Sequence, residues 1–157
     1  MAQSTPDISV VVPVFDEEGA APELAREIAA AFAGRNFEIV FVDDRSRDNT
    51  RAALTALKAE IPQLRVLSHA KNSGQSRSIR TGVLAARGDV IVTLDGDGQN
   101  DPADGPGLVD ALAAGPPGLV LVGGERVKRQ DSAAKKFASK FGNGVRKRLL
   151  KDTANAT

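Results

Sequence analysis

The chain has 157 residues, a net charge of +1 and no cysteine. That length suits one domain with a substantial core, and the 41% hydrophobic and 26% charged fractions exclude disorder of the whole chain. The missing cysteines exclude disulfides, thiolate metal sites and a cysteine nucleophile, while a single histidine, His69, excludes a multi-histidine metal site and leaves a Ser-His-Asp triad one possible base.

In chain order, Met1 to Asp7 is polar and reads as a flexible N-terminus without the apolar core of an export signal. Ile8–Phe15 is a β-branched apolar run that predicts a buried strand, and Ala20–Ala33, rich in Ala, Glu and Leu, predicts a helix. Phe37–Val42 predicts a second strand, ending at two aspartates, and Asp48–Glu60 a helix stopped by Pro62. Leu64–Ser68 reads as a third strand, Ser73–Ala86 as a helix, and Val90–Leu94 as a fourth strand that again ends at an aspartate. Asp104–Ala114 predicts a helix, Leu119–Val122 a fifth strand, and Asp131–Leu150 a basic helix. No stretch approaches the ~18 consecutive apolar residues of a membrane span.

Strands alternating with helices at this spacing predict a doubly wound α/β sheet. Its strands are unbroken apolar runs, as parallel strands buried on both faces must be. The expected organisation is a core over residues 8–130, followed by a basic amphipathic helix and a tail over 131–157.

The charge of +1 conceals an asymmetry. Between Arg126 and Lys151 stand ten basic residues and one acid, Asp131, so that segment is +9. Residues 1–125 hold 11 basic and 18 acidic residues and are −7; Asp152 completes the total.

In open α/β sheets ligands bind beyond the carboxyl ends of the strands. Carboxylates gather there: Asp16 to Glu18, Asp43 and Asp44, and Asp95, Asp97 and Asp101. In Asp95-Gly96-Asp97-Gly98-Gln99, two carboxylates two residues apart can converge on one hard cation, with Gln99 as a neutral oxygen. Such a set favours Mg2+ or Mn2+ and leaves room for a diphosphate. A solvated acidic turn is the plainer alternative. A calcium loop is excluded, because its required glycine and glutamate positions are Asn100 and Pro106. Asp43-Asp44 can accept hydrogen bonds from a base or ribose, or complement a helix dipole; Ser46 and Asp48 resemble capping residues. No G-x-G-x-x-G follows the first strand and no P-loop motif occurs, which disfavours a nicotinamide or flavin dinucleotide site and a P-loop site. His69 reads as an ordinary strand-end residue.

Four stretches in order, VVVPVFDEE at 10–18, EIVFVDDRSRDNT at 38–50, NSGQSRSIRTG at 72–82 and GDVIVTLDGDGQNDPAD at 88–104, resemble the family 2 glycosyltransferases with a GT-A fold. GQS-x-x-IRTG and DGDGQNDP narrow the resemblance to the polyprenyl-phosphate, dolichyl-phosphate mannosyltransferase-like members. The resemblance implies a nucleotide-sugar donor, GDP-mannose, a UDP-sugar or a modified arabinose donor. It also implies a divalent ion, Mg2+ or Mn2+, and transfer with inversion to a polyprenyl phosphate at the cytoplasmic face of a membrane. It places Pro13, Glu17, Asp43 and Asp95 at the nucleotide sugar, and Asp95, Asp97 and Gln99 at the metal. Arg126, Lys135 and Ser139 fall at the acceptor phosphate, and Asp95, Asp97 and Arg126 become the residues that carry catalysis. Two departures stand out: Arg45 replaces the glycine usual in DDGS, and the family's continuation after the basic helix is missing, so a truncated core is expected.

A phosphate monoester is largely dianionic at neutral pH, so such an acceptor needs positioning cations rather than a general base. The phenylalanines and leucines of the basic segment recur at helical spacing, as in an interfacial helix on an anionic membrane surface. A nucleic-acid partner is disfavoured by the 4% aromatic content and the acidic body. Two alternatives are a family 2 transferase with a sugar-hydroxyl acceptor, and a non-catalytic module binding nucleotide sugar or nucleic acid.

Overall fold

The computed structural model describes residues 5–124. Strands and helices alternate as β1 (Ile8–Val14), α1 (Ala21–Ala31), β2 (Phe37–Asp43), α2 (Thr50–Ala56), β3 (Leu64–Ser68), α3 (Gln75–Ala85), β4 (Val90–Thr93) and α4 (Asp104–Ala113). A 3-10 turn at Leu57–Ala59 ends α2, so the predicted helix over 48–60 forms in two pieces. The strands make one parallel sheet in the order β3-β2-β1-β4. The chain steps outward from β1 to β3, then crosses back to the other side of β1, which creates a switch point between β1 and β4.

β1 and β2 are buried at every position, as their unbroken apolar sequences require. On one face Val10, Val12, Ile39 and Phe41 pack with Leu24, Ile28 and Phe32 of α1 and its C-terminal turn, and with Leu54 of α2. On the other face Val11, Val40 and Val42 form a smaller cluster. Helix α3 covers it closely: a Cβ on Gly82 would lie 2.3 Å from Val11 Cγ1 and 3.2 Å from Val42 Cγ2.

A buried polar network fastens the amino end of the sheet. Ser9 Oγ donates to Glu38 Oε1 at 2.8 Å, and Arg65 donates to Glu38 Oε2 at 2.7 Å and to the Ala85 carbonyl at 3.0 Å. The Arg87 amide donates to Glu38 at 2.7 Å and the Gly88 amide to Ser9 Oγ at 2.9 Å. Burial pushes the Glu38 carboxyl up, but the bonds from Arg65, Ser9 and the Arg87 amide outweigh it and hold it below its ordinary value.

The predicted fifth strand does not form. Residues 119–124 carry no regular structure, and Val120 and Leu121 are 88% and 79% exposed. After α4 the chain turns at Pro116 and Pro117, the Leu119 amide bonds to the Pro116 carbonyl, and the Leu119 side chain folds back on Gly115. An apolar run becomes a strand only when it finds a partner, and among the described residues this run has none. The predicted boundary at 130/131 and basic helix lie outside the described residues. Among those residues no helix is long and apolar enough to cross a membrane.

Candidate active site

The switch point opens into a cleft of about 330 Å³. Pro13, Val14, Phe15 and Glu17 supply one side, Asp95, Gly96 and Asp97 the facing side, and Asp44, Gln75 and Ser78 the rest. Of the residues predicted from sequence, Pro13, Glu17, Asp95 and Asp97 therefore meet in one cavity. Asp43 is buried beside it and accepts from the Ser46 amide at 3.1 Å, but does not line it. Gln99 is exposed and outside the lining; its backbone amide donates to Asp97 Oδ1 at 3.0 Å. Arg126, Lys135 and Ser139 lie outside the described residues.

The loop after β1 is held by the loop after β2 through reciprocal hydrogen bonds. The amides of Asp16, Glu17 and Glu18 donate to Ser46 Oγ, Thr50 Oγ1 and Asp48 Oδ2 at 3.0, 2.8 and 3.1 Å. In return the amides of Arg47 and Asn49 donate to Asp16 Oδ1 and Glu18 Oε2 at 2.7 and 2.9 Å. Ser46 and Asp48 thus serve the neighbouring loop rather than only capping their own helix. The Arg47 guanidinium pairs with Asp16 and lies 5.2 Å from the Phe15 ring centroid, which fixes the rim of the cleft. Arg45 keeps a left-handed backbone, φ 67°, the conformation that the glycine of DDGS supplies without a Cβ penalty.

Asp44 closes the back of the cleft. It accepts from the Ser73 amide at 2.9 Å and the Gly74 amide at 2.6 Å, and its Oδ1 lies 2.7 Å from His69 Nδ1. A carboxylate can only accept, so His69 Nδ1 carries the proton; Nε2 faces Thr81 Oγ1 at 2.9 Å. His69 is thus a satisfied structural partner of Asp44. Burial raises the Asp44 carboxyl, but the His69 bond and the two amides outweigh it and lower it. Gly74 permits this clamp, since its φ of 88° and ψ of 159° are open essentially to glycine alone.

Asp95 is aimed by its neighbours. Gln75 Nε2 donates to its Oδ1 at 2.8 Å, and Asn100 Nδ2 lies 3.4 Å from Oδ2. The glycine between the aspartates is required by packing: a Cβ on Gly96 would lie 2.4 Å from the Pro13 carbonyl oxygen and 2.7 Å from Val14 Cγ1. The GQS motif carries the resemblance without a role for Gln75, and the residue of the Asp43-Asp44 pair that lines the cleft is Asp44 rather than the expected Asp43. The signal for Gln75 was its place at the start of a helix that begins at the carboxyl end of the sheet.

The lining carries four carboxylates, Glu17, Asp44, Asp95 and Asp97, and no lysine or arginine. Glu17 accepts no side-chain hydrogen bond among the described residues; burial, then Asp97, Asp48 and Asp16, raise its carboxyl. Among those residues no group of three acids or histidines converges as a metal site. Asp95 and Asp97 nevertheless fit an ion that takes two carboxylates from the protein and its other oxygens from water and a diphosphate. The fit rests on charge. An anionic diphosphate can enter a cleft whose only charged lining residues are acids if a cation enters with it.

A parallel sheet with its cleft at the β1/β4 switch point and a D-x-D loop is a nucleotide-sugar transferase architecture of the GT-A type. The chain belongs to glycosyl transferase family 2, whose description matches residues 9–154. It is 42% identical over 145 residues to the undecaprenyl-phosphate 4-deoxy-4-formamido-L-arabinose transferase of Shewanella sediminis, covering 90% of this chain and 43% of that protein. The enzyme of the same name from Pseudomonas aeruginosa is 43% identical over 140 residues, 87% of this chain and 40% of that one. The chain spans about two fifths of the length of these curated relatives. A mannosyltransferase of Pyrobaculum calidifontis, solved with GDP-Man and Mn2+, shares the fold with a TM-score of 0.62 at 23% identity over 71% of this chain and 33% of that one. Glucosyl-3-phosphoglycerate synthase of Mycobacterium tuberculosis, solved with Mn2+, UDP and glucosyl-3-phosphoglycerate, superposes with a TM-score of 0.59 at 25% identity, over 73% of this chain and 42% of that one.

Proposed function

We propose that this chain is the donor-binding core of an inverting, metal-dependent glycosyltransferase that moves a sugar from a nucleoside diphosphate to a polyprenyl phosphate. The observation that carries the reading is the cleft at the switch point, whose charged lining residues are all acids and in which Gln75 orients Asp95 near Asp97. The named relatives supply the acceptor class: both are undecaprenyl-phosphate transferases.

Pro13 and Asp44 form the walls of the nucleotide end, with the buried Asp43 behind them. Asp95 and Asp97 hold Mg2+ or Mn2+, with Gln99 supporting Asp97. The ion, when bound, supplies the positive charge that stabilises the leaving diphosphate. Nucleophilic activation is not asked of the protein, because the acceptor phosphate is already anionic. Arg126, Lys135 and Ser139 are assigned to hold that phosphate, at the cytoplasmic face of a membrane.

The test uses thermal unfolding with UDP- and GDP-sugars, with and without Mn2+ or Mg2+, followed by transfer to undecaprenyl phosphate in a chain extended to the relatives' length. Stabilisation that needs nucleotide and ion together is expected. Asp97→Ala should abolish the ion-dependent part and leave the midpoint without ligand nearly unchanged, since Asp97 is exposed and among the described residues bonds only the Gln99 amide. Equal stabilisation of Asp97→Ala and the parent would overturn the metal assignment, and no transfer by the extended chain would overturn the acceptor.

A further inference from the structure

Helix α3 breaks the charge pattern of the body. Residues 70–87 carry Lys71, Arg77, Arg80 and Arg87 and no acid, within a body of net −7. Elsewhere in that body Arg26, Arg35, Arg47 and Arg65 are each paired with a carboxylate, while Arg45, Arg51 and Lys58 make no ion pair among the described residues and stand apart from one another in sequence. Lys71, Arg77 and Arg80 make no ion pair among the described residues, and all three are exposed. They line a shallow depression of about 300 Å³ together with His69, Ser73 and Thr81. His69 is occupied by Asp44 and Thr81, so it contributes a wall rather than a charge.

The same helix face continues into apolar side chains. Arg77, Arg80 and Leu84 stand three and seven residues apart, on one stripe of α3. Leu84 is 68% exposed, and Val83 beside it is also exposed. A site for a free anion gains nothing from an exposed leucine at its edge. Cations followed by aliphatic groups on one outward face match a bilayer surface, where headgroup phosphates meet the first and the acyl boundary the second.

We propose that the outward face of α3, with the depression lined by Lys71, Arg77 and Arg80, binds the headgroup phosphates of an anionic bilayer. The residues of this surface are distinct in sequence from the basic segment at 126–151. Gln75 and Ser78 of the same helix line the cleft, so a bilayer held on α3 would lie beside the mouth through which a lipid-borne acceptor must reach the donor. The proposal does not depend on the identity of that acceptor.

Vesicle binding by the whole chain does not test it, because residues 126–151 form a second cationic stretch. A local probe does. The chain has no cysteine, so Leu84→Cys gives one attachment point for a polarity-sensitive dye, and Glu27→Cys on the exposed face of α1 gives a control. With phosphatidylcholine vesicles containing about 30% phosphatidylglycerol in about 0.1 M salt, the Leu84 dye should shift to the blue and be quenched by lipid-borne quencher. Pure phosphatidylcholine should give neither effect, nor should the Glu27 position on either vesicle. Arg77→Gln with Arg80→Gln in the Leu84→Cys chain should weaken this signal about 25-fold in lipid concentration, about fivefold per cation. Both arginines are exposed and make no ion pair among the described residues, so an unchanged unfolding midpoint checks that the variant is folded. Three results would overturn the proposal: a silent Leu84 dye on vesicles that bind the chain, no vesicle binding at all, or stabilisation by inorganic phosphate without bilayer contact. The last would make the depression a site for free anions. Nucleotide binding with Mn2+ is read separately, so failure here leaves the cleft assignment standing, and the reverse.

Discussion

Two carboxylates of the cleft are shifted in opposite directions, and the cause is local. Asp44 is nearly inaccessible, yet two backbone amides and the His69 imidazole satisfy its charge. Glu17 is more open but unbonded, and burial together with Asp97, Asp48 and Asp16 makes its charge unfavourable. A raised folded-state value means that Glu17 destabilises the fold when ionised and is neutral in effect when protonated. Glu17→Gln should therefore raise the unfolding midpoint at neutral pH, and the gain should fade as the pH falls through the raised Glu17 value towards the unfolded value of about 4.3. The same substitution removes one of the negative charges that draw a cation into the cleft. It should weaken ion-dependent nucleotide stabilisation while strengthening the protein alone. Calorimetric unfolding at several pH values, with and without Mn2+ and nucleotide, checks both halves. Only the D-x-D spacing and the strand-end position of these acids were legible in the sequence. The choice of Asp44 over Asp43 was not: Asp43 ends β2 and turns to the nearby Ser46 amide, whereas Asp44 follows the strand and is held at the cleft by His69, Ser73 and Gly74, partners distant in sequence.

At the scale of elements, the cleft is precise because its loops are tied to one another. Thr50 is fully buried; its Oγ1 accepts from the Glu17 amide and donates to Asp48. Thr50→Val keeps the shape and strands that amide, so stability should drop by about 1–2 kcal/mol. Donor affinity should fall as well, because Glu17 and Phe15 ride on the released loop; chemical denaturation and nucleotide titration read the two effects. Helix α3 is fixed differently, by contact with Val11 and Val42 across a missing side chain. Val11 is a β-branched residue in the middle of the central strand and has little room to yield. Gly82→Ala should cost about 1–3 kcal/mol by overpacking, visible as a lower urea midpoint. The order of strands and helices followed from the sequence because each apolar run is the right length and alternates with a segment of helical composition, α1 with a clear apolar stripe of Leu24, Ala25 and Ile28. Leu119–Val122 has that pattern too, but pairing is a property of two segments. The Gly115-Pro116-Pro117-Gly118 turn sends this one away from the sheet. Gly82 and Gly96 read as helix and loop glycines, whereas their necessity comes from Val11 and Pro13, distant in sequence.

Across the whole sheet, function and stability occupy opposite ends. The carboxyl end concentrates acids that repel one another, and the amino end carries the satisfied Ser9–Glu38–Arg65 network, which joins three strands to the turn between α3 and β4. The second supplies what the first costs. Glu38 is buried and its carboxyl is held below the ordinary value, so its contribution is complete above the unfolded value of about 4.3 and is lost as the pH falls through its folded value. Glu38→Gln keeps the volume but turns a donor group towards Arg65 and leaves that half-buried cation without its charge partner. The expected loss at neutral pH is about 2–3 kcal/mol, at the low end for a broken buried pair because Arg65 keeps some access to water. On acidification the parent protonates Glu38 and loses the same interaction, so the two chains should converge. Glu17 moves the other way over the same range, relieving the cleft as it protonates. The parent's stability should accordingly rise as the pH falls while Glu17 titrates and fall once Glu38 and Asp44 do, whereas Glu38→Gln should keep the early rise and lose the later fall due to Glu38. Urea midpoints of both chains from about pH 7 down to about pH 3.5 test this; parallel curves would show that Glu38 is not the group through which acid unfolds the sheet.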